Sequence, residues 1–144
     1  QVIKSTVKHV GGRVPVIAGT GGNNTRDVIK KSITAQSLGA DALLIVTPYY
    51  NKCSQEGLVE HYSQISEAVT KPIIVYNVPS RTGVNIKPET YKRLSQIENV
   101  VATKEANGDL SALMKTLMLC GDELDIYCGN DDRAVFNLKI NLFF

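Results

Sequence analysis

Short apolar runs alternate along the chain with longer segments in which apolar and polar residues are mixed at helical spacing. The runs are rich in β-branched residues and begin roughly every 25 to 30 residues, about the length of one βα unit. Runs of this kind are typical of strands in a parallel sheet that are buried on both faces. Five strands are predicted, at Val14–Ala18, Ala42–Val46, Pro72–Val75, Val100–Ala102 and Leu124–Tyr127.

The segments between the strands carry signals for the starts of helices and for the faces that they bury. Spacing by three and four residues predicts that Ile29, Ile33 and Leu110 are among the side chains that face the core. Residues suited to cap or open a helix stand at Asn24, Ser54, Pro88 and Asp109.

This alternation predicts an α/β protein built on a parallel sheet, and two architectures share that order. A doubly wound dinucleotide-binding fold needs the pattern G-x-G-x-x-G after a strand. The run Gly19–Asn24 has asparagine at the third glycine position, so it is better interpreted as a turn that leads into a capped helix. An eight-stranded barrel needs about 250 residues, so this chain would form only part of a barrel.

Composition narrows the class of protein. Of the 144 residues, 43% are apolar and 21% charged, and the net charge of +2 comes with no basic cluster, so a nucleic-acid partner is not expected. No apolar segment is long enough for a membrane span, and no signal peptide stands at the start. Cys53, Cys120 and Cys128 form no C-x-x-C pair, and His9 and His61 lack a second ligand at metal spacing. We therefore expect a cytoplasmic protein without disulfides or a metal site.

Polar side chains stand where the third and fourth strands end. Tyr76 and Asn77 close the third strand, Arg81 follows in the predicted loop, and Lys104 closes the fourth. In parallel α/β folds, ligands bind at the carboxyl ends of the strands. One phenol, one guanidinium and one amine are therefore expected at the same edge of the sheet.

Each of these side chains has both a structural and a functional interpretation. Lys104 can be a strand-terminal lysine that reaches solvent, or a nucleophile, since desolvation in an apolar pocket provides a neutral amine that attacks a carbonyl. Tyr76 can pack at the sheet edge, or move the protons that carbinolamine formation and dehydration require. Arg81 can hold a carboxylate in a bidentate pair or remain solvated. The neighbours Tyr49 and Tyr50 indicate a subunit contact or a substrate wall.

Four segments, in fixed order, match motifs of one enzyme family. They are G-R-V-P-V-I-A-G-T-G (Gly12–Gly21), T-P-Y-Y-N (Thr47–Asn51), Y-N-V-P-S-R-T-G (Tyr76–Gly83) and K-E-A (Lys104–Ala106). The combination resembles the dihydrodipicolinate synthases, which belong to the pyruvate-dependent, Schiff-base class I aldolase superfamily together with N-acetylneuraminate lyase. The match runs in order from residue 1 to about residue 136.

The resemblance implies a lyase with a TIM (β/α)8 barrel fold, represented here by about strands three to seven. Lys104 would form an imine with pyruvate without a separate cofactor, and the imine would condense with aspartate semialdehyde in diaminopimelate and lysine biosynthesis. Tyr76 falls at the position of the proton donor and acceptor, and Arg81 at an arginine that engages the aldehyde substrate's carboxylate. Tyr50 falls at a relay tyrosine that enters the neighbouring subunit's active site. Tyr49 is its companion at the interface of a homo-oligomer, a dimer or a tetramer formed as a dimer of dimers.

The resemblance is incomplete at both ends. The family's G-T-T-G-E segment would precede Gln1, the match fades after Gly129–Asp132, and residues 137–144 do not continue into the expected glycine-rich strands. We therefore expect residues 1–144 to be a partial barrel domain, truncated at both ends, that is weakly stable and inactive by itself. Two alternatives stay open: a sister aldolase acting on a sugar acid or hydroxy-oxo acid, against which Arg81 argues, and a non-catalytic remnant.

Overall fold

Strands and helices alternate in the order that the sequence predicts. The computed structural model describes residues 1–129, so the end of the 129–132 motif and the 137–144 segment lie outside the described residues. The helices are Val2–Val10 (α1), Thr25–Ser37 (α2), Gln55–Ala68 (α3), Pro79–Thr82 (α4), Pro88–Leu94 (α5) and Leu110–Cys120 (α6). The strands are Ile17–Gly19 (β1), Ala42–Val46 (β2), Ile73–Asn77 (β3), Val100–Glu105 (β4) and Asp125–Cys128 (β5).

The order of the strands distinguishes between the two architectures. All five strands are parallel, and they lie side by side in chain order, β1-β2-β3-β4-β5. A doubly wound sheet reverses its strand order at a switch point, whereas consecutive strands that always add on the same side are the arrangement of a (β/α)8 barrel. The described residues therefore form a section of barrel wall.

The core fills the space between the sheet and its helices. In β3 the side chains of Ile73, Val75 and Asn77 are buried beneath the helices, whereas Ile74 and Tyr76 on the other face are partly exposed. The expectation that this strand is buried on both faces is thus wrong for the concave face. Most of the largest fully buried side chains come from β2, α3, β3 and α5, namely Leu43, Ile45, Leu58, Tyr62, Ile65, Ile73, Val75, Tyr91 and Leu94.

The predicted helix starts are confirmed. Each predicted N-cap side chain accepts a hydrogen bond from the backbone N–H three residues on, which satisfies a donor that the helix itself cannot pair. Pro88 is the first residue of α5. The capped pairs are Asn24 with Asp27, Ser54 with Gly57 and Asp109 with Ala112.

The prediction that Ile33 and Leu110 face the core is wrong. Ile33 is 46% exposed and Leu110 is 38% exposed. In α2 the stripe that meets the sheet includes Val28 and Ser32, because the Ser32 hydroxyl makes a buried hydrogen bond of 2.8 Å with the Thr20 hydroxyl. Helical spacing allows either stripe, and this packing selects the one that begins at Val28.

The pairing of β3 with β4 contains one irregularity. Ile73 pairs with Val100, but the next residue, Ile74, pairs with Ala102, so the register shifts by one at Val101. Beyond the shift the pairing is regular, and Tyr76 lies opposite Lys104. Within residues 1–129 no helix combines the length and apolarity needed to cross a membrane.

Candidate active site

The phenol of Tyr76 and the amine of Lys104 lie side by side on the concave face of the sheet. The two residues are paired across β3 and β4, and the Lys104 Nζ lies 4.8 Å from the centroid of the Tyr76 ring. That distance is within the range of a cation–π contact. Two of the predicted catalytic residues are therefore brought together, as the positions of the strand ends indicated.

The amine also borders an apolar recess in the concave face. The recess has a volume of about 300 Å³, and its wall is formed by Ile17, Leu44, Ile74 and Tyr127 together with Lys104. The apolar side chains of this wall offer water no hydrogen-bonding groups. An apolar setting of this kind is where a lysine amine can act as a nucleophile on a carbonyl group.

A second cleft, of about 370 Å³, opens beside the phenol. Tyr49, Tyr76 and Arg81 all line it. Gly21 forms part of its floor, and a Cβ at that position would lie 2.7 Å from the backbone nitrogen of Val46. Only glycine fits here without a shift of the backbone, because the segment after β1 passes close to the end of β2.

Arg81 is held in a different way from the one that the sequence predicted. It lies on α4, a single helical turn, and not in an irregular loop. Pro79 opens this turn and Gly83 closes it at φ 71°, with the Gly83 N–H bonded to the Pro79 carbonyl at 2.9 Å. The guanidinium is therefore carried on a short ordered element at the rim of the cleft.

Tyr50 is not part of the concave site of this chain. Its side chain is 90% exposed, and its backbone is left-handed at φ 73°. The Asn51 N–H bonds to the Tyr49 carbonyl at 2.9 Å, which makes Tyr50 the centre of a three-residue turn. A non-glycine residue in this conformation is strained, and the turn directs a large aromatic side chain into solvent.

A second pair of polar side chains, with no role predicted from the sequence, lies behind the Tyr76–Lys104 pair. Asn77 and Glu105, the next residue in each strand, are buried on the helix-covered face and hydrogen-bond to each other at 3.0 Å. Burial raises the pKa of Glu105. The signal that could have indicated this layer is the alternation of side chains along a strand, which sends each neighbour of a site residue to the opposite face.

A buried histidine lies outside this region, between α2 and α3. His61 is 3% exposed, and its Nδ1 lies 2.9 Å from the Thr25 hydroxyl. Burial lowers the pKa of this imidazole to about 4. Within residues 1–129 no three His, Cys, Asp or Glu side chains converge on a point that could hold a metal ion.

Comparisons with known proteins agree with this geometry. A model of the dihydrodipicolinate synthetase family matches residues 1–140. A 4-hydroxy-tetrahydrodipicolinate synthase from Caldicellulosiruptor saccharolyticus is 56% identical over 140 residues, which are 97% of this chain and 47% of that protein. A protein of the same name from Clostridium perfringens is 56% identical over 135 residues, 94% of this chain and 46% of its own length. The chain thus spans about half the length of these relatives.

Solved structures show the same correspondence. A dihydrodipicolinate synthase from Thermotoga maritima superposes with a TM-score of 0.93 at 43% identity, over 98% of this chain and 49% of its own. A dihydrodipicolinate synthase from Acinetobacter baumannii, in complex with pyruvate, gives a TM-score of 0.95 at 44% identity, over 99% of this chain and 49% of its own. The parallel sheet and its helices are accordingly part of a TIM (β/α)8 barrel. Sequence and structure lead to one assignment: the chain belongs to the dihydrodipicolinate synthetase family.

Proposed function

We propose that this chain carries the amine and phenol of a 4-hydroxy-tetrahydrodipicolinate synthase, which condenses pyruvate with aspartate semialdehyde in diaminopimelate and lysine biosynthesis. The observation that carries the proposal is the pairing of Lys104 with Tyr76, at 4.8 Å from Nζ to ring centroid, beside an apolar recess. The complex of the Acinetobacter baumannii relative with pyruvate supports the choice of the first substrate.

The chemistry follows from these two groups. The Lys104 amine adds to the keto carbon of pyruvate, and loss of water from the carbinolamine gives an imine. Tyr76 gives and takes the protons that addition and dehydration require. Removal of a proton from the methyl group then yields an enamine, whose carbon attacks the aldehyde of the second substrate and forms the new C–C bond. The imine itself withdraws electrons, so we propose that no separate cofactor is used.

The remaining site residues are given roles in recognition and assembly. Arg81, at the rim of the cleft that Tyr76 lines, would bind the carboxylate of aspartate semialdehyde in a bidentate pair. We propose that Tyr50 enters the active site of a second subunit as a proton relay, with Tyr49 packed at the same interface. The exposure and strained turn of Tyr50 support this role.

We also propose a domain organisation, an assembly and a location for the complete protein. We infer one catalytic barrel domain, to which residues 1–144 contribute, assembled as a homo-oligomer that is either a tight dimer or a homotetramer of two such dimers. A cytoplasmic location is supported by Cys53 and Cys120, which are thiols and not disulfides. Arg81 favours the synthase over a sister aldolase of the neuraminate lyase type.

The test is to trap the imine with borohydride in the presence of pyruvate and to map the modified peptide. It is run on the 144-residue chain and on a barrel graft, in which residues 1–140 replace the matching half of the Caldicellulosiruptor saccharolyticus relative. We expect one adduct, with the mass of pyruvate less one water plus two hydrogens, on Lys104. Lys104→Arg should abolish it, whereas Lys92→Arg, at a surface lysine paired with Glu123, should not.

Three other outcomes would contradict parts of the proposal. An adduct on another lysine would refute the assignment of Lys104. Cleavage of N-acetylneuraminate in place of condensation with aspartate semialdehyde would identify a sister aldolase. No adduct in either protein would favour a non-catalytic remnant.

A further inference from the structure

A buried carboxylate lies directly behind the proposed catalytic pair. Glu105 is 8% exposed and follows Lys104 in β4, so its side chain lies on the face of the sheet that the helices cover. Burying a carboxylate without a partner costs several kcal/mol. A carboxylate at this position is therefore expected to have a compensating set of hydrogen bonds.

Within residues 1–129 that set is present, and its donors are neutral groups. The Tyr91 hydroxyl donates to Oε2 at 2.6 Å, and the Asn107 N–H donates to Oε1 at 2.8 Å. Asn77 Nδ2 lies 3.0 Å from each of the two oxygens. These groups come from β3, from α5 and from the residues just after β4. The carboxylate thus connects three elements at one point.

Asn77 extends this connection to the segment between α4 and α5. Its side-chain oxygen accepts the Ile86 N–H at 3.2 Å, and its Nδ2 also donates to the side chain of Asn85 at 2.8 Å. Its backbone carbonyl accepts the N–H of Ala106 at 2.9 Å. Both the side chain and the main chain therefore fasten the end of β3 to the end of β4.

These bonds lie directly behind the proposed site and so can affect its geometry. Asn77 is one residue beyond Tyr76, and Glu105 is one residue beyond Lys104, so the bonds hold the two residues next to the phenol and the amine. A displacement of about 1 Å between reacting groups can cost roughly a hundredfold in rate. A buried ionic group is seldom the most stable choice for packing alone.

We propose that Glu105, held by Tyr91 and Asn77, is a positioning residue that fixes the Tyr76 phenol against the Lys104 amine. The inference rests on the proposed function, because it concerns the same two groups. It assigns to Tyr91, a residue of α5 far from the concave face, a role in the rate of imine formation.

The test compares two buried tyrosines whose hydroxyls form hydrogen bonds with different groups. Tyr91→Phe removes the bond to Glu105 and a bond of 3.2 Å that the Tyr91 hydroxyl accepts from the Thr103 hydroxyl. Tyr62→Phe removes a bond of 2.9 Å to the backbone carbonyl of Ile45. Both rings are fully buried. The rate of borohydride trapping is measured against pyruvate concentration, on whichever of the 144-residue chain and the barrel graft forms the adduct when unaltered, and the thermal midpoint is measured in parallel.

We expect Tyr91→Phe to lower the maximal trapping rate about tenfold or more, with a smaller change in the pyruvate concentration for half-maximal rate. Tyr62→Phe should lower the thermal midpoint and leave the trapping rate of the folded protein unchanged. Equal trapping rates in Tyr91→Phe and the unaltered protein would overturn the proposal. So would equal slowing in the two variants, since that would indicate a general loss of structure.

A second pair of variants covers the case in which Tyr91→Phe does not fold. Glu105→Gln keeps an acceptor for the Asn107 N–H and a side chain of the same length, whereas Glu105→Ala removes every bond to the network. Glu105→Gln should restore most of the trapping rate that Glu105→Ala loses, and equal rates in the two would overturn the proposal. If the unaltered sequence forms no adduct on Lys104, the proposed function itself fails, and this result is distinct from all of the above.

Discussion

The buried histidine gives a prediction whose size can be worked out from the structure. His61 has a pKa of about 4 in the folded protein because burial disfavours its charged form. In the unfolded chain the same imidazole takes up a proton near its ordinary pKa of about 6.5. The unfolded state therefore binds the proton at higher pH, and acid favours unfolding.

The pH window and the magnitude follow from these two values. The contribution of His61 to stability is fully present above about pH 6.5, falls as the pH is lowered, and is lost by about pH 4. Between pH 7 and pH 5 the unfolded state gains about 2 kcal/mol from protonation of this one group. That amount is a substantial fraction of the stability of a typical domain.

The control variant needs a side chain at position 61 that does not titrate but keeps the contact with Thr25. His61→Asn places a side-chain oxygen within reach of the Thr25 hydroxyl, which lies 2.9 Å from Nδ1 in the folded chain. Other groups also titrate in this range, and Glu105, whose pKa burial raises, acts in the opposite sense because its neutral form is favoured in the folded state. Such terms are shared by both proteins and cancel in the difference between them.

The assay is urea unfolding of the barrel graft at pH 7 and pH 5, with and without His61→Asn, and of the 144-residue chain if it unfolds cooperatively. We expect the free energy of unfolding to fall by about 2 kcal/mol more in the protein that retains His61. Parallel pH dependences in the two proteins would refute the argument that this imidazole is held neutral by burial.

Three further changes test the packing of the fold by the same urea assay. Gly21→Ala should cost about 1 to 3 kcal/mol because the new Cβ would meet the Val46 backbone at 2.7 Å, whereas the control Gly19→Ala, with no atom within 4 Å, should not destabilise the protein. Asp109→Ala should cost about 1 kcal/mol through loss of the N-cap of α6. Met118→Gln, at a side chain 84% exposed, should change stability by less than about 0.5 kcal/mol, and a larger loss would show that α6 is covered in the folded protein.

Local sequence signals predicted the elements of the fold well. A β-branched run and a capping side chain act within a few residues, so four of the strands and the starts of α2, α3, α5 and α6 lie close to where the pattern put them. The first strand begins at Ile17 and not at Val14, whose side chain is exposed. The inward-facing stripe of a helix depends on what it packs against. Ile33 and Leu110 satisfied the helical spacing but lie on faces that the sheet does not cover.

In the candidate site, too, local signals predicted some contacts and not others. Tyr76 and Lys104 were predicted to meet because both follow strand-like runs and parallel strands end at one edge. The contact of Tyr91 with Glu105 could not be predicted in this way. It joins a helix to a strand, and no periodicity in the sequence records which helical residue reaches which strand residue.

The register shift at Val101 decides which chemical group is presented to the barrel interior. Side chains alternate strictly along a regular strand. Had the ladder continued unbroken from Ile73 and Val100, residue 104 would stand opposite Asn77 and point into the helix layer. The acidic side chain of Glu105 would then occupy the interior in its place. The shift between Ile73 and Ile74 reverses the faces on which the later residues of β4 lie. The one extra residue in β4 therefore puts the Lys104 amine, and not the Glu105 carboxylate, on the interior face of the barrel wall.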